Sequence, residues 1–254
     1  MKNINIITIT DGNINSLKLT LKSIDNQDYN KFRNLIISKT KIKNFNKIFK
    51  STNRSFFYQK NSSIYEAMNY GLKQSNNRYL IFLNAGDTFA SKSSLKKISK
   101  YINNDKFKSC LMLMSILRND KDYFIPKKKV FFSEKYLTHN SFIRPATKKG
   151  ISFDIKNQIT ADGMWMKNNI KKFGIKKIYT VFTIFYLGGV SNFPSKKSLQ
   201  MKINSGMISL IKELLKLFLL KIVGKNLFYK IIYYFKYDRV DFRKVDKIHK
   251  QNNY

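Results

Sequence analysis

Ser62-Ser63-Ile64-Tyr65-Glu66-Ala67-Met68-Asn69-Tyr70-Gly71, followed after a short break by Tyr79-Leu80-Ile81-Phe82-Leu83-Asn84-Ala85-Gly86-Asp87, decides how this chain folds. Ser63 and Glu66 have the spacing of a capping box, which predicts a helix running to about Gln74. Tyr79 to Leu83 is an unbroken apolar run of strand length, the pattern of a buried strand. The polar loop behind it ends on a carboxylate. Open α/β sheets bind ligands at the carboxyl ends of their strands, so Asp87 stands where a ligand would be met.

The same reading extends in both directions. Ile4 to Ile9 reads as a first strand closing on the turn Thr10-Asp11-Gly12-Asn13. Leu17, Leu21 and Ile24 recur at helical spacing, in a helix that ends near Gln27. Asn34 to Ser38 and Ser55 to Tyr58 read as further strands, and Ser91 to Tyr101 as an amphipathic helix. Alternating strands and helices predict an α/β fold with a mostly parallel sheet flanked by helices. Further on, the pattern predicts a strand over Cys110 to Leu117 and a basic loop around Pro126. A helix starting near Asp162 carries Met164, Trp165 and Met166, and a late strand from Lys176 to Leu187 closes on Gly188-Gly189.

From Met207 to Phe235 the apolar fraction rises, interrupted by Lys212, Lys216, Lys221, Lys225 and Lys230. Gly224 is expected to split this stretch into two helices. Ile211, Leu214, Leu215 and Phe218 fall on one helical face, Lys212, Glu213 and Lys216 on the other. Such a basic amphipathic helical tail suits a membrane interface, or packs on the core. The expected division is therefore residues 1–195 as the α/β domain and 196–254 as the tail.

The 254 residues suit one large domain with an appendage, and a hydrophobic content of 43% supports a sizeable core. The formal charge of +34 is dominated by lysines spread along the whole chain. Charge so distributed reflects compositional drift and attraction to anionic surfaces, lipid head groups and sugar nucleotides among them. A basic nucleic-acid-binding protein is the alternative from another class. Neither zinc-finger spacing nor an RNA-binding aromatic motif supports it, so no specific nucleic-acid partner is expected. Cys110 is the sole cysteine, which excludes an intramolecular disulfide, and its apolar neighbours mark a structural thiol. Asn3, Asn5 and Thr8 interrupt the first apolar run, which reads as a strand and not a signal peptide. No stretch reaches the about 18 uninterrupted apolar residues of a membrane span, so a cytoplasmic location is expected.

Three side chains are candidates for chemistry. Asp87 suits a hard divalent cation, which prefers carboxylate oxygens, and equally a helix cap or a turn with Gly86. Asp162, in Thr160-Ala161-Asp162-Gly163, fits either a helix cap or a general base. His139, in Leu137-Thr138-His139-Asn140-Ser141-Phe142, reads as a hydrogen-bonding or structural residue, since one cysteine and two histidines make a soft-ligand zinc site a poor fit. His249 lies in the polar tail and reads as solvated.

Four blocks resemble bacterial family-2 glycosyltransferases of the GT-A (Rossmann-like) fold, of the kind that builds surface polysaccharide and O-antigen. Leu21 to Tyr29 resembles the first helix of that family, with its Ser-(Ile/Val)-x-x-Gln-x-Tyr pattern. Ile64 to Gly71 resembles IYDAMNKG, with Glu66 in place of Asp, and Phe82 to Asp87 resembles FLNAGD, a form of the metal-binding DXD region. His139 to Phe142 and Ala161-Asp162 resemble the later HQSxF and ADY blocks. The likeness covers roughly residues 3 to 193.

The resemblance implies that Asp87 helps hold Mn2+ or Mg2+ on a donor diphosphate and that Asp162 is the base that deprotonates the acceptor. It implies an inverting transfer of a hexose, glucose or galactose, from a UDP-sugar to a polyprenyl-diphosphate-linked saccharide. The enzyme would then be peripheral on the inner face of the membrane, against its anionic surface. Gly86 occupies the place of a second DXD carboxylate. Two departures leave a catalytically weak, membrane-associated relative as an alternative: Ser38 stands where the second strand usually ends in Asp, and Asn61 and Ser63 where Asp and Gly are usual. Substrate and nucleotide contacts would rest on Thr10, Asn61, Asn69, Asn84 and His139.

Overall fold

Ile4–Thr10 forms β1, seven residues buried along their whole length, and the sheet is built outward from it. In the computed structural model the described residues are 4–75, 79–102, 109–119, 122–145, 151–157, 161–187, 199, 207–234 and 236–241. Phe32–Ser38 (β2) runs parallel to β1 on one side and Tyr79–Phe82 (β4) parallel on the other, with Arg54–Tyr58 (β3) parallel beyond β2. The strands β3, β2, β1 and β4 therefore end together, and the loops after them share one rim.

Helices cover this half on both faces. Ile14–Asp25 (α1) opens on Asn13, whose side chain accepts a hydrogen bond from the Ser16 N–H, and it buries Leu17, Thr20, Leu21 and Ile24. Each such aliphatic side chain contributes roughly 1.5–3 kcal/mol of apolar burial. Ile64–Gln74 (α3) opens on the expected capping box: Ser63 Oγ accepts from the Glu66 N–H, and Glu66 Oε2 accepts from the Ser63 N–H at 2.7 Å. Glu66 is thus explained by helix geometry. The same helix lies so close on the sheet that a Cβ at Gly71 would meet Ile7 Cγ2 at 2.5 Å. Phe45–Ile48 (α2) is a single turn between β2 and β3.

The other half of the sheet is mixed. Thr88–Phe89 (β5), Cys110–Arg118 (β6), Tyr123–Pro126 (β7), Phe142–Pro145 (β8) and Ile175–Tyr186 (β9) join through antiparallel pairs, except that β9 runs parallel to β6. Ser94–Ile102 (α4) and Ala161–Phe173 (α6) pack on the sheet, and Lys128–Phe132 (α5) is a short helix after β7. The loop expected around Pro126 is thus a strand and a helical turn. Its alternation of buried Phe124 and Pro126 with half-buried Tyr123 and Ile125 is too short to stand out in sequence.

Met207–Tyr234 (α7) is interrupted at Gly224, where φ is 70° and ψ 170°, as its position had implied. Tyr237–Val240 (β10) follows and pairs antiparallel with β7 at the sheet edge. Phe228 and Tyr229 of α7 are buried against Leu117, Phe124 and Leu187. Cys110 is buried as expected, and burial pushes its thiol up to about 12. Gly188-Gly189, Thr160, Phe235 and His249 lie outside the described residues.

Candidate active site

Thr20 organises the loop after β4. On the buried face of α1, its hydroxyl donates to the Asp87 carbonyl at 2.7 Å and accepts from the Gly86 N–H at 2.9 Å. Leu83 and Ala85 N–H groups continue the pairing with β1, onto the carbonyls of Ile7 and Ile9. The loop is therefore held from two sides, and the direction of the Asp87 side chain follows from it. Asp87 is buried, with Oδ1 accepting from the Tyr186 N–H at 3.0 Å. That bond comes from β9, which pairs with β5 immediately after Asp87.

Burial pushes the Asp87 carboxyl up to about 8, against the lowering effects of the Tyr186 N–H and the Asn140 amide. Asn140 faces the carboxyl without closing a full hydrogen bond, since Asp87 Oδ2 and Asn140 Nδ2 both lack a hydrogen-bond partner among the described residues. Below it lies a buried hydroxyl cluster. Ser115 Oγ donates to Asn140 Oδ1 at 2.7 Å and lies 2.6 Å from Ser141 Oγ and 2.7 Å from Thr183 Oγ1. This cluster fixes the 3-10 turn His139–Ser141 ahead of β8.

The turn sets one imidazole between two carboxylates. His139 Nε2 lies 3.8 Å from Asp87 Oδ2, and Nδ1 lies 3.8 Å from Asp162 Oδ2. Asn84 Nδ2 is 3.2 Å from Nε2. With that amide donating, the ring proton sits on Nδ1 and faces Asp162. Burial lowers the imidazole pKa, and the Asp162 charge works against that shift. Asp162 is in the first turn of α6, its side chain 34% exposed against 6% for Asp87. Its Oδ1 accepts from the Gly163 N–H at 2.8 Å, and its own N–H bonds the Tyr65 hydroxyl. One carboxyl is sealed in and the other is partly open to solvent.

Four residues expected from sequence thus come together: Asp87, Asn84, His139 and Asp162. Thr10 ends β1 at the same rim, its Oγ1 accepting from the Gly12 N–H at 3.1 Å. Asn61 is exposed in the loop after β3, with φ at 54°. Asn69 is held elsewhere. Its Nδ2 donates to the Phe153 carbonyl at 3.0 Å and its Oδ1 accepts from the Phe153 N–H at 2.7 Å.

Tyr65, Thr20, Asn140 and Tyr186 complete the site and were not singled out by sequence. Only Thr20 left a signal, as a polar residue within the apolar stripe Leu17, Leu21, Ile24.

The oxygens present fit a hard cation. Asp87 Oδ2 and Asn84 Oδ1 are buried and have no hydrogen-bond partner among the described residues. No cluster of three or more His, Cys, Asp or Glu side chains suited to a metal is found among them, so substrate oxygens would have to complete the coordination.

A family model, Glycosyl transferase family 2, matches residues 5–167, from β1 through Asp162. The chain belongs to glycosyl transferase family 2. Its fold is GT-A-like, and solved structures agree. Staphylococcus aureus TarS 1–349 in complex with UDP-GlcNAc is 13% identical with a TM-score of 0.63, over 97% of this chain and 70% of that one. The same TarS fragment with UDP gives 14% and 0.62, over 72% and 60%. The mannosyltransferase PcManGT from Pyrobaculum calidifontis, in complex with GDP-Man and Mn2+, gives 10% and 0.55, over 91% and 79%. At such identities the likeness concerns the fold. This family-2 chain aligns with 60% of the TarS fragment and 46% of a longer TarS chain in two further structures. None of the curated proteins compared with it matches.

Proposed function

We propose that this chain is an inverting hexosyltransferase that moves glucose or galactose from a UDP-sugar to a polyprenyl-diphosphate-linked saccharide. The process served is assembly of a surface polysaccharide such as O-antigen, at the inner face of the membrane. Residues 1–195 carry out transfer and residues 196–254 hold the enzyme to the bilayer. The observation that carries the reading is the single imidazole of His139 with a carboxylate 3.8 Å from each ring nitrogen.

Asp87 Oδ2 and Asn84 Oδ1 would hold Mn2+ or Mg2+ against the donor diphosphate. The ion, when bound, supplies positive charge where negative charge develops on the leaving group. Asp162 takes the proton of the acceptor hydroxyl. The new bond to the anomeric carbon forms opposite the breaking bond to the diphosphate, and UDP leaves. His139 keeps the two carboxylates apart and orients Asp162 through its Nδ1–H. Thr10 and Asn61, on the rim after β1 and β3, face the nucleotide.

A second reading, a weakly active relative, draws on Ser38. It ends β2 where the family usually has Asp, and its hydroxyl is engaged by the Thr40 carbonyl at 2.7 Å.

The deciding experiment offers a panel of UDP-sugars, with and without Mn2+, together with a lipid-diphosphate-linked GlcNAc acceptor. One UDP-hexose is expected to be consumed, and Asp87→Ala and Asp162→Ala are each expected to remove most transfer from a folded protein. Near-normal turnover in either variant would strip that residue of its role.

A further inference from the structure

The segment of α7 before Gly224 presents an apolar stripe to solvent. Ile211, Leu214, Leu215, Phe218 and Ile222 are spaced i, i+3, i+4, i+7 and i+11, which places them on one side of a helix. Their exposures are 48%, 48%, 62%, 65% and 65%. The opposite side is not free: Leu219, Leu220 and Val223 pack toward Leu117, Phe124 and Leu187. The segment thus has one face for the protein and a second apolar face left over.

We infer that this second face is a docking surface for an anionic lipid bilayer, entered edge-on by the stripe. Charge selects the occupant. Lys221 borders the stripe on one margin, and Lys212 and Lys216 stand on the other side of the helix, all three exposed. Glu213 is the one acid in 207–234; it is buried and lies 3.3 Å from Lys216 Nζ. An exposed apolar stripe on a helix whose exposed charges are all lysines matches the boundary between acyl chains and anionic head groups. A second copy of the chain would bring lysine against lysine. None of the described helices is long and apolar enough to cross a membrane, so contact here is with the surface.

The stripe is mechanically joined to the catalytic cleft. Tyr229 Oη, in the second half of α7, donates to the Leu187 carbonyl at 2.5 Å. Leu187 follows Tyr186, whose N–H holds Asp87. A bilayer under α7 therefore lies in fixed relation to the rim where the acceptor is met. This surface extends the membrane location proposed above, and its test is independent of transfer.

The full-length protein is mixed with phosphatidylcholine vesicles, with and without phosphatidylglycerol, and its bound fraction is measured by flotation. The protein should bind the anionic vesicles preferentially. The double variant Leu215→Glu, Phe218→Glu should lose about tenfold or more per side chain. A triple variant Lys212→Gln, Lys216→Gln, Lys221→Gln should weaken binding to anionic vesicles about fivefold per lysine, with little change on neutral ones. This charge series leaves the packing intact and decides the matter if the double variant does not fold. Failure to float, or equal flotation of all variants, overturns the inference. So does a wild-type dimer that the double variant converts to monomer. Vesicle binding without UDP release from any UDP-sugar would preserve this surface and reject the transferase reading.

Discussion

Asn69 separates a substrate contact from a structural clip. The resemblance places it among the substrate-binding residues, yet both ends of its amide are engaged by the backbone of Phe153. Phe153 stacks on Trp165 with centroids 4.6 Å apart and on Tyr65 at 5.7 Å. Tyr65 in turn meets the Asp162 N–H. Asn69→Ala removes two hydrogen bonds, each worth about 1 kcal/mol net, and leaves the Phe153 N–H and carbonyl without partners. The expected loss is about 2–4 kcal/mol of stability. It should be read as a lower urea midpoint at unchanged m-value. In transfer assays kcat should fall, because the wall behind Asp162 loosens, while KM for the donor stays within about twofold. Unchanged stability with a donor KM raised about tenfold would refute the clip and restore the direct contact.

Arg144 is buried in β8 with its Nε unpartnered and its guanidinium 5.5 Å from the Trp165 ring. Burial pushes it down to about 10, so keeping it charged costs on the order of 3 kcal/mol at neutral pH, and Arg144→Met should stabilise the fold. Its folded pKa lies below the unfolded one, so the penalty is complete below pH 10 and is relieved only above it. The gain in melting temperature should therefore be the same at pH 6 and pH 9. Asp122 lies 2.5 Å from Arg239 of β10 and 4.0 Å from Lys230 of α7, so Asp122→Ala should release the tail, seen as faster amide exchange over 237–240 with β1 and β4 unaffected. Gly71→Ala should destabilise by roughly 1–3 kcal/mol through overpacking against Ile7, measured by thermal melting.

The parallel half of the fold was legible because its signals are local. An apolar run makes β4, a capping box opens α3, and a three-four spacing makes α1. Asp87 and Asp162 could be singled out because each sits at the end of such an element. What stayed hidden depends on partners far along the chain. Tyr186 meets Asp87 through a backbone N–H, which carries no side-chain signature. Tyr65 meets Asp162 across a gap that no periodicity spans. The short strands β5, β7, β8 and β10 hold two to four residues each, too few for alternation to declare itself, and their pairing comes from the sheet they join.

The way β10 closes over β7 bears on how this chain could be shortened. Cutting before α7 would bare the unpaired amides and carbonyls of an outermost strand, together with the greasy patch of Leu117, Phe124 and Leu187. A strand margin of that kind recruits the same margin on another molecule. A trimmed protein should therefore clump through its sheets before its lipid affinity can be compared with that of the whole.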